Sequence, residues 1–168
     1  MIRVVVINGY PESGKDLFGE LCDIYRESYT ICTSTPMKEA MSLLGWDGVK
    51  TDEVRNALYD MKVMSNKLFN TTQQYVLKTL CKIKLVCVGS DGIVFIQSRE
   101  PKEIDWFVKA LGAETLLITR LGKYAGNNAS DMFVEDYDYD TIITNNGSIK
   151  DLEDKAESFV WRGNAKCI

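Results

Sequence analysis

Gly9, Gly14 and Lys15 stand at the spacing G-x-x-x-x-G-K, the pattern of a loop that wraps phosphate groups. The residue types explain the chemistry. Glycines let the backbone curl so that successive N–H groups point inward, and the positive end of a following helix completes an anion site. The lysine adds a mobile ammonium that can follow a phosphoryl group during transfer. The stretch Gly9, Tyr10, Pro11, Glu12, Ser13, Gly14, Lys15, Asp16 and Leu17 is therefore expected to hold the phosphates of a nucleotide. The position after the lysine asks for Ser or Thr and carries Asp16 instead. Its carboxylate can hold Mg²⁺ directly or through water, or can serve only as a helix-start acid that complements the dipole.

Further candidates lie where other strands end. Gln97-Ser98-Arg99-Glu100-Pro101 closes the apolar run Ile93 to Gln97. P-loop kinases often place a metal-associated Asp at this point; here Gln97 or Ser98 takes the place, and neither adds negative charge. Arg99 is positioned either to hold a phosphate bidentately or to form an ion pair, with Glu100 or Glu103 as possible partners. Arg120 ends the next apolar run and is the best placed of the remaining cations for phosphate contact. Lys38, Lys50, Arg55 and Lys123 read more readily as a solvated face. Tyr10 and Trp46 can stack on a base, although Trp46 is expected to pack at a helix end. The alternation Asp136, Asp138, Asp140 with tyrosines lacks the spacing of a calcium loop and reads as an acidic approach to a strand.

These residues need a scaffold, and the chain supplies one of alternating strands and helices. Val4 to Ile7 form a buried strand that feeds the loop. A helix follows from near Lys15, with Phe18, Leu21, Cys22 and Tyr25 on its inner face. Tyr29 to Thr33 is a second strand. Thr35-Pro36 starts a helix with Met37, Ala40, Met41 and Leu44 as its buried stripe. A long helix from about Thr51 should bury Val54, Leu58, Met61, Ser65 and Leu68. Another runs from about Thr72 into the 80s, although Lys84 to Gly89 reads equally well as a strand. After the central strand, Pro101 opens a helix with Ile104, Phe107, Val108 and Leu111 on one face and Gly112 as its stop. Thr115 to Thr119 and Thr141 to Thr144 are the last strands, separated by a long aperiodic segment from Leu121 to Tyr139. Asn145-Asn146-Gly147 turns the chain, and Ser148-x-x-Asp151 starts a closing helix with a capping box, whose inner face is Leu152, Ala156, Phe159 and Val160. The tail from Arg162 is expected to be loose. The fold class implied is α/β, a three-layer P-loop NTPase fold with a mostly parallel five-stranded sheet and helices on both faces.

Composition narrows the functions. The 168 residues suit one domain with a real core, spanning 1–168. The net charge of −4 argues against a nucleic-acid partner held by bulk charge. No apolar run is long enough to span a membrane, and the N-terminal run is too short for a signal peptide. The absence of histidine excludes a His-based triad and a His-ligated metal. Cysteines at 22, 32, 81, 87 and 167 are odd in number and form no C-x-x-C pair, which suits reduced thiols in the cytoplasm. The oligomeric state is left open.

Ser13-Gly14-Lys15-Asp16 resembles the P-loop of phage-type deoxynucleoside monophosphate kinases and of animal phosphomevalonate kinases, where Asp also follows the lysine. Arg99-Glu100-Pro101-Lys102-Glu103-Ile104 is similar to the Arg-(x)-Pro-x-Glu element after the central strand of that group. Asp138-Tyr139-Asp140 through Asn145-Asn146-Gly147 and the closing helix are similar to its C-terminal strand and helix. The resemblance covers nearly the whole chain, in layout alone between about Met37 and Gly92. It implies an adenylate-kinase-like enzyme with ATP and Mg²⁺ as donor pair and a (deoxy)nucleoside monophosphate as acceptor. It implies phosphate roles for Gly14, Lys15, Asp16 and, by position, Arg99. The acceptor region would lie at about 37–89 and a lid at about 121–137. Two departures stand out: the acid at the strand end is missing, and the lid segment holds only Lys123 as a cation besides the preceding Arg120. A kinase of another small phosphorylated acceptor, or a nucleotide-binding module without turnover, remains open beside the nucleotide kinase.

Overall fold

The computed structural model describes residues 2–86, 91–124, 131, 132 and 134–162. Five strands form one parallel sheet: β1 (Arg3–Asn8), β2 (Ser28–Cys32), β3 (Ile93–Gln97), β4 (Glu114–Thr119) and β5 (Thr141–Thr144), in the order β2-β3-β1-β4-β5. The helices are α1 (Lys15–Tyr25), α2 (Thr35–Leu43), α3 (Asp52–Phe69), α4 (Thr71–Val86), α5 (Pro101–Leu111) and α6 (Ile149–Trp161). The α/β fold with helices on both faces of a parallel sheet is as expected. Of the segment 84–89, Lys84 to Val86 continue α4 as helix, and the rest lies outside the described residues. None of the helices is long and apolar enough to cross a membrane.

Period-two alternation in the central strands makes two cores. Val5 and Ile7 of β1, Ile93 and Phe95 of β3, and Leu116 and Ile118 of β4 face α1 and α6. There Phe18, Phe95 and Phe159 meet with ring centroids 5.5–6.3 Å apart. Val6, Val94, Ile96 and Leu117 face the other way, toward Val76 and Leu80 of α4 and Ile104 and Phe107 of α5. The closing helix behaves as its sequence indicates. Leu152, Ala156, Phe159 and Val160 are all buried. The Ser148 hydroxyl accepts the Asp151 N–H at 3.2 Å, while the Asp151 carboxylate accepts the Ser148 N–H at 2.6 Å. Ser148→Ala should lower stability by about 1 kcal/mol, read as a lower urea midpoint with an unchanged slope.

Helices α2 and α3 depart from expectation. On α2 only Met37 of the stripe is buried, whereas Leu44 is 80% exposed. Ser34, not Thr35, is the N-cap of α2, and Pro36 sits in its first turn. On α3 only Leu58 of the stripe is buried, and Leu68 is largely exposed. Val54, Met61 and Ser65 are half-buried, and Arg55, Leu58, Tyr59 and Lys62 of α3 line a cleft. Their spacing is also that of one helix face. The hydrophobic pattern foresees only part of this helix, because one of its faces looks onto a polar cleft rather than an apolar core.

Candidate active site

β1 lies between β3 and β4, so the chain leaves it at the point where strand order reverses, and a crevice opens at the strand carboxyl ends. The glycine loop sits there. Gly9 and Gly14 adopt φ of +154° and +96°. A methyl group on Gly9 would come within 2.5 Å of the Ile118 carbonyl oxygen and of Ser13 Oγ, and one on Gly14 would collide with Asn145 Nδ2. Glu12 also takes a positive φ of +61°, so the loop carries strain that its surroundings must hold. Gly9→Ala should cost about 2–3 kcal/mol, because neither the φ nor the backbone carbonyl opposite can give way. Chemical denaturation would register it as a lower midpoint.

Three polar braces hold the loop. The Asn8 side chain accepts the Gly9 N–H at 2.8 Å and donates to the Tyr139 hydroxyl at 2.6 Å. Tyr139 donates onward to the Val134 carbonyl at 2.8 Å, and burial pushes its hydroxyl pKa up to about 12, so it stays a neutral donor. At the far end, Asn145 Nδ2 donates to the Ser13 carbonyl at 2.9 Å, and the Asn145 N–H bonds the Thr119 carbonyl at 2.7 Å. Beside the loop, Glu12 pairs with Lys123; that hydrogen bond above all holds the Glu12 carboxyl below its usual range. Asn8 carries no signal of this role in the sequence, and Asn145 and Tyr139 read there only as part of a turn and of the approach to the last strand, since an asparagine near a glycine is ordinary turn chemistry.

The loop residues divide by role. Pro11, Glu12, Lys15 and Asp16 line a cleft of about 480 Å³. Ser13 is fully buried, and Leu17 packs against the α1 and α6 core. The Tyr10 ring is buried on the α4 and α5 side, which leaves it no face for stacking on a base. Trp46 donates its indole N–H to the Val49 carbonyl at 2.7 Å, at the turn after α2. Burial, and next the Arg99 charge, hold the Lys15 ammonium below its ordinary pKa. Asp16 is exposed and accepts a hydrogen bond from Gln97 Nε2. Gln97 thus orients the Asp16 carboxylate from the place where an acid was expected.

Among the described residues, the ion pair of Arg99 is not with Glu100 or Glu103. It reaches Asp131, which is 1% exposed. Nothing in the local sequence marks Asp131, which lies in the segment read as aperiodic. Arg120 is exposed at the end of β4; its charge contributes to lowering the Glu12 pKa, and it does not line the cleft. Asp140 accepts both the N–H and the hydroxyl of Thr115 at 2.8 Å, a structural tie between β4 and the approach to β5.

Across the cleft the lining is cationic. Lys38, Lys50, Arg55 and Lys62 face it together with Lys15 and Arg99, making six cations against the carboxylates of Glu12, Asp16, Glu100 and Asp131. Lys38, Lys50 and Arg55, expected as a solvated face, border the open cleft, where Lys50 is exposed, while Lys123 pairs with Glu12. Cys32 sits among them, its Sγ 3.1 Å from Ser34 Oγ and 3.5 Å from Lys38 Nζ. Burial raises the Cys32 thiol pKa, but Ser34 and Lys38 outweigh it and leave it below the ordinary value. Glu100, the N-cap residue of α5, does not cap that helix with its side chain; its carboxylate lines the cleft, where burial raises its pKa.

No group of three or more metal-ligating side chains occurs among the described residues. No protein-family model and no curated protein matches the chain. Among solved structures, the fold is similar to that of an unliganded sugar kinase from Janibacter sp. HTCC2649, with 16% identity, coverage of 98% of each chain and a TM-score of 0.51. At that identity the likeness bears on the fold alone.

Proposed function

We propose that this protein is an ATP-dependent phosphotransferase whose acceptor is a small anion, a (deoxy)nucleoside monophosphate. One observation carries the reading: a braced phosphate loop with Lys15 at its end opens onto a cleft whose far wall presents Lys38, Lys50, Arg55 and Lys62. The loop amides and Lys15 would hold the donor phosphates, and the far wall would hold an acceptor that is already charged. Arg99, fixed by Asp131, is placed to offset charge on the transferred group, and Arg120 and Lys123 stand at the loop's outer edge. Mg²⁺ bound to the donor phosphates would neutralise charge developing between them, with Asp16 and Gln97 as the residues that hold it. An acceptor phosphate needs no general base, which suits a chain without histidine. The chain is read as a single domain, 1–168, with the acceptor region at about 37–89 and a lid at about 121–137, of which 87–89, 125–130 and 133 lie outside the described residues. Cys22, Cys32 and Cys81 are free, in keeping with a cytoplasmic enzyme.

Glu100 supports a second reading, in which the acceptor presents a hydroxyl. Its cleft-lining carboxylate, with a raised pKa, suits a base that takes the proton of an attacking alcohol. An ADP-release assay with Mg²⁺ and ATP, run over the ribo- and deoxynucleoside monophosphates and over small hydroxyl acceptors, separates the readings. Turnover with one or a few monophosphates supports the first. Turnover only with hydroxyl acceptors, lost in Glu100→Gln, supports the second. ATP binding without transfer to any acceptor would leave a nucleotide-binding module.

A further inference from the structure

α3 is an 18-residue helix with a single buried residue, Leu58. Its outer side exposes Val63, Met64, Leu68 and Phe69. Apolar burial therefore does little to fix where this helix sits, yet Arg55, Tyr59 and Lys62 on it line the cleft. What ties its inner face down is a charge cluster. Glu103 of α5 is 5% exposed, and its carboxylate collects three donors: Ser98 Oγ at 2.6 Å, Lys62 Nζ at 2.8 Å and Asn66 Nδ2 at 3.1 Å. Lys62 Nζ also donates to Thr33 Oγ1 at 3.2 Å, just beyond the end of β2. Asn66 Oδ1 in turn accepts the Thr72 N–H at 2.9 Å, which carries the tie into α4.

We propose that Glu103 is the positioning residue of the acceptor side. It joins α3 to the tips of β2 and β3 and sets Lys62 at the cleft wall. Ser98, which it also holds, lies between Gln97, bonded to Asp16, and Arg99, bonded to Asp131. One buried carboxylate thus registers the α3 wall against the segment that orients the donor side. A buried hydrogen-bonded cluster fixes position more tightly than apolar contact does, because its geometry is directional. Glu103 touches no reacting group itself; it acts through Lys62 and Ser98. The turnover arm of the test rests on the kinase reading above, and the exchange arm does not.

Two variants test it: Glu103→Gln, and the pair Lys62→Met with Glu103→Leu, which removes both buried charges and so avoids leaving one uncompensated. In Glu103→Gln, α3 amides beyond Leu58 should exchange about tenfold faster or more while β1 and β3 keep their protection. The KM for the acceptor should rise about tenfold or more, with the KM for ATP within about twofold. The double variant should recover the thermal midpoint of the native protein but neither the α3 protection nor the acceptor KM. Unchanged α3 exchange in folded Glu103→Gln overturns the proposal. So does a double variant whose acceptor KM returns along with its stability, since that marks a purely structural pair. Should the native protein transfer phosphate to no acceptor, the kinase reading fails, and the exchange comparison still decides the role of Glu103.

Discussion

Lys15→Ala should lower phosphoryl transfer by about 10³-fold and leave the protein as stable as before. The first half follows from charge. Removing one preorganised donor from a site where negative charge develops costs about 10²–10³ in rate, and Lys15 is also the cation at the mouth of the loop, so donor binding weakens with it. The second half follows from the direction of its pKa shift. Burial and the nearby Arg99 charge hold the ammonium below its ordinary value, so the folded protein disfavours the charged form relative to the unfolded chain. A group of this kind opposes folding at every pH below its folded pKa, and the opposition fades as pH rises from that value to the ordinary one. Deleting it at neutral pH removes a penalty. A thermal melt of Lys15→Ala at pH 7 should therefore show a midpoint equal to or slightly above that of the native protein, and the coupled assay should show the loss of turnover. A large fall in midpoint would mean that Lys15 is a structural residue; retained turnover would remove the kinase reading altogether.

The contrast between what was legible in the sequence and what was not has a physical cause. The glycine loop, its strand and its helix are contiguous, and their signals are local: an apolar run, two glycines that need unusual φ, and a capping box at Ser148. Strands that run as continuous apolar β-branched and aromatic stretches, such as Ile93 to Gln97, are recognisable because both of their faces are covered. The braces of the loop were not legible. Asn8 meets Tyr139 across 131 positions, and Asn145 meets Ser13 across 132. Both asparagines satisfy backbone or hydroxyl groups that exist only once the sheet has formed. The inner face of α3 was only partly foreseen, for a different reason. Periodicity arguments assume that the inward side of a helix meets an apolar core, and here Arg55, Tyr59 and Lys62, beside the buried Leu58, meet a cleft. A stripe of cations and a tyrosine at i, i+4, i+7, beside a weak apolar stripe, was the signal available for a helix that walls a polar site. Asp131 has no such signal, and Glu103 is visible in the sequence only as a possible partner of Arg99 and as part of the Arg-(x)-Pro-x-Glu element, because a buried carboxylate is indistinguishable in sequence from an exposed one until its partner is placed beside it.

The pair between Arg99 and Asp131 yields the other large effect, and the two partners should not behave alike. Asp131 is almost wholly enclosed while Arg99 retains partial exposure, with side chains 2% and 27% exposed. Arg99→Met leaves an enclosed carboxylate without its guanidinium. Stranding a buried charge costs about 3–5 kcal/mol, so this variant should lose stability and turnover together. It also relieves the repulsion on Lys15, whose pKa should move back up toward the ordinary value. Asp131→Asn is the milder change: it keeps the volume and a hydrogen-bond acceptor, and it leaves Arg99 charged but less firmly held. Its stability should fall less than that of Arg99→Met, whereas its turnover should fall about 10-fold or more if a fixed guanidinium matters to the transferred group. Arg99→Lys separates charge from shape, since lysine keeps the positive charge but cannot form the two parallel bonds of a guanidinium. If it restores stability but not rate, Arg99 acts on the phosphoryl group through its geometry. If it restores both, the pair serves chiefly to anchor the segment around Asp131 against the end of β3, and the developing charge must be met by Lys15 and the cations of the far wall.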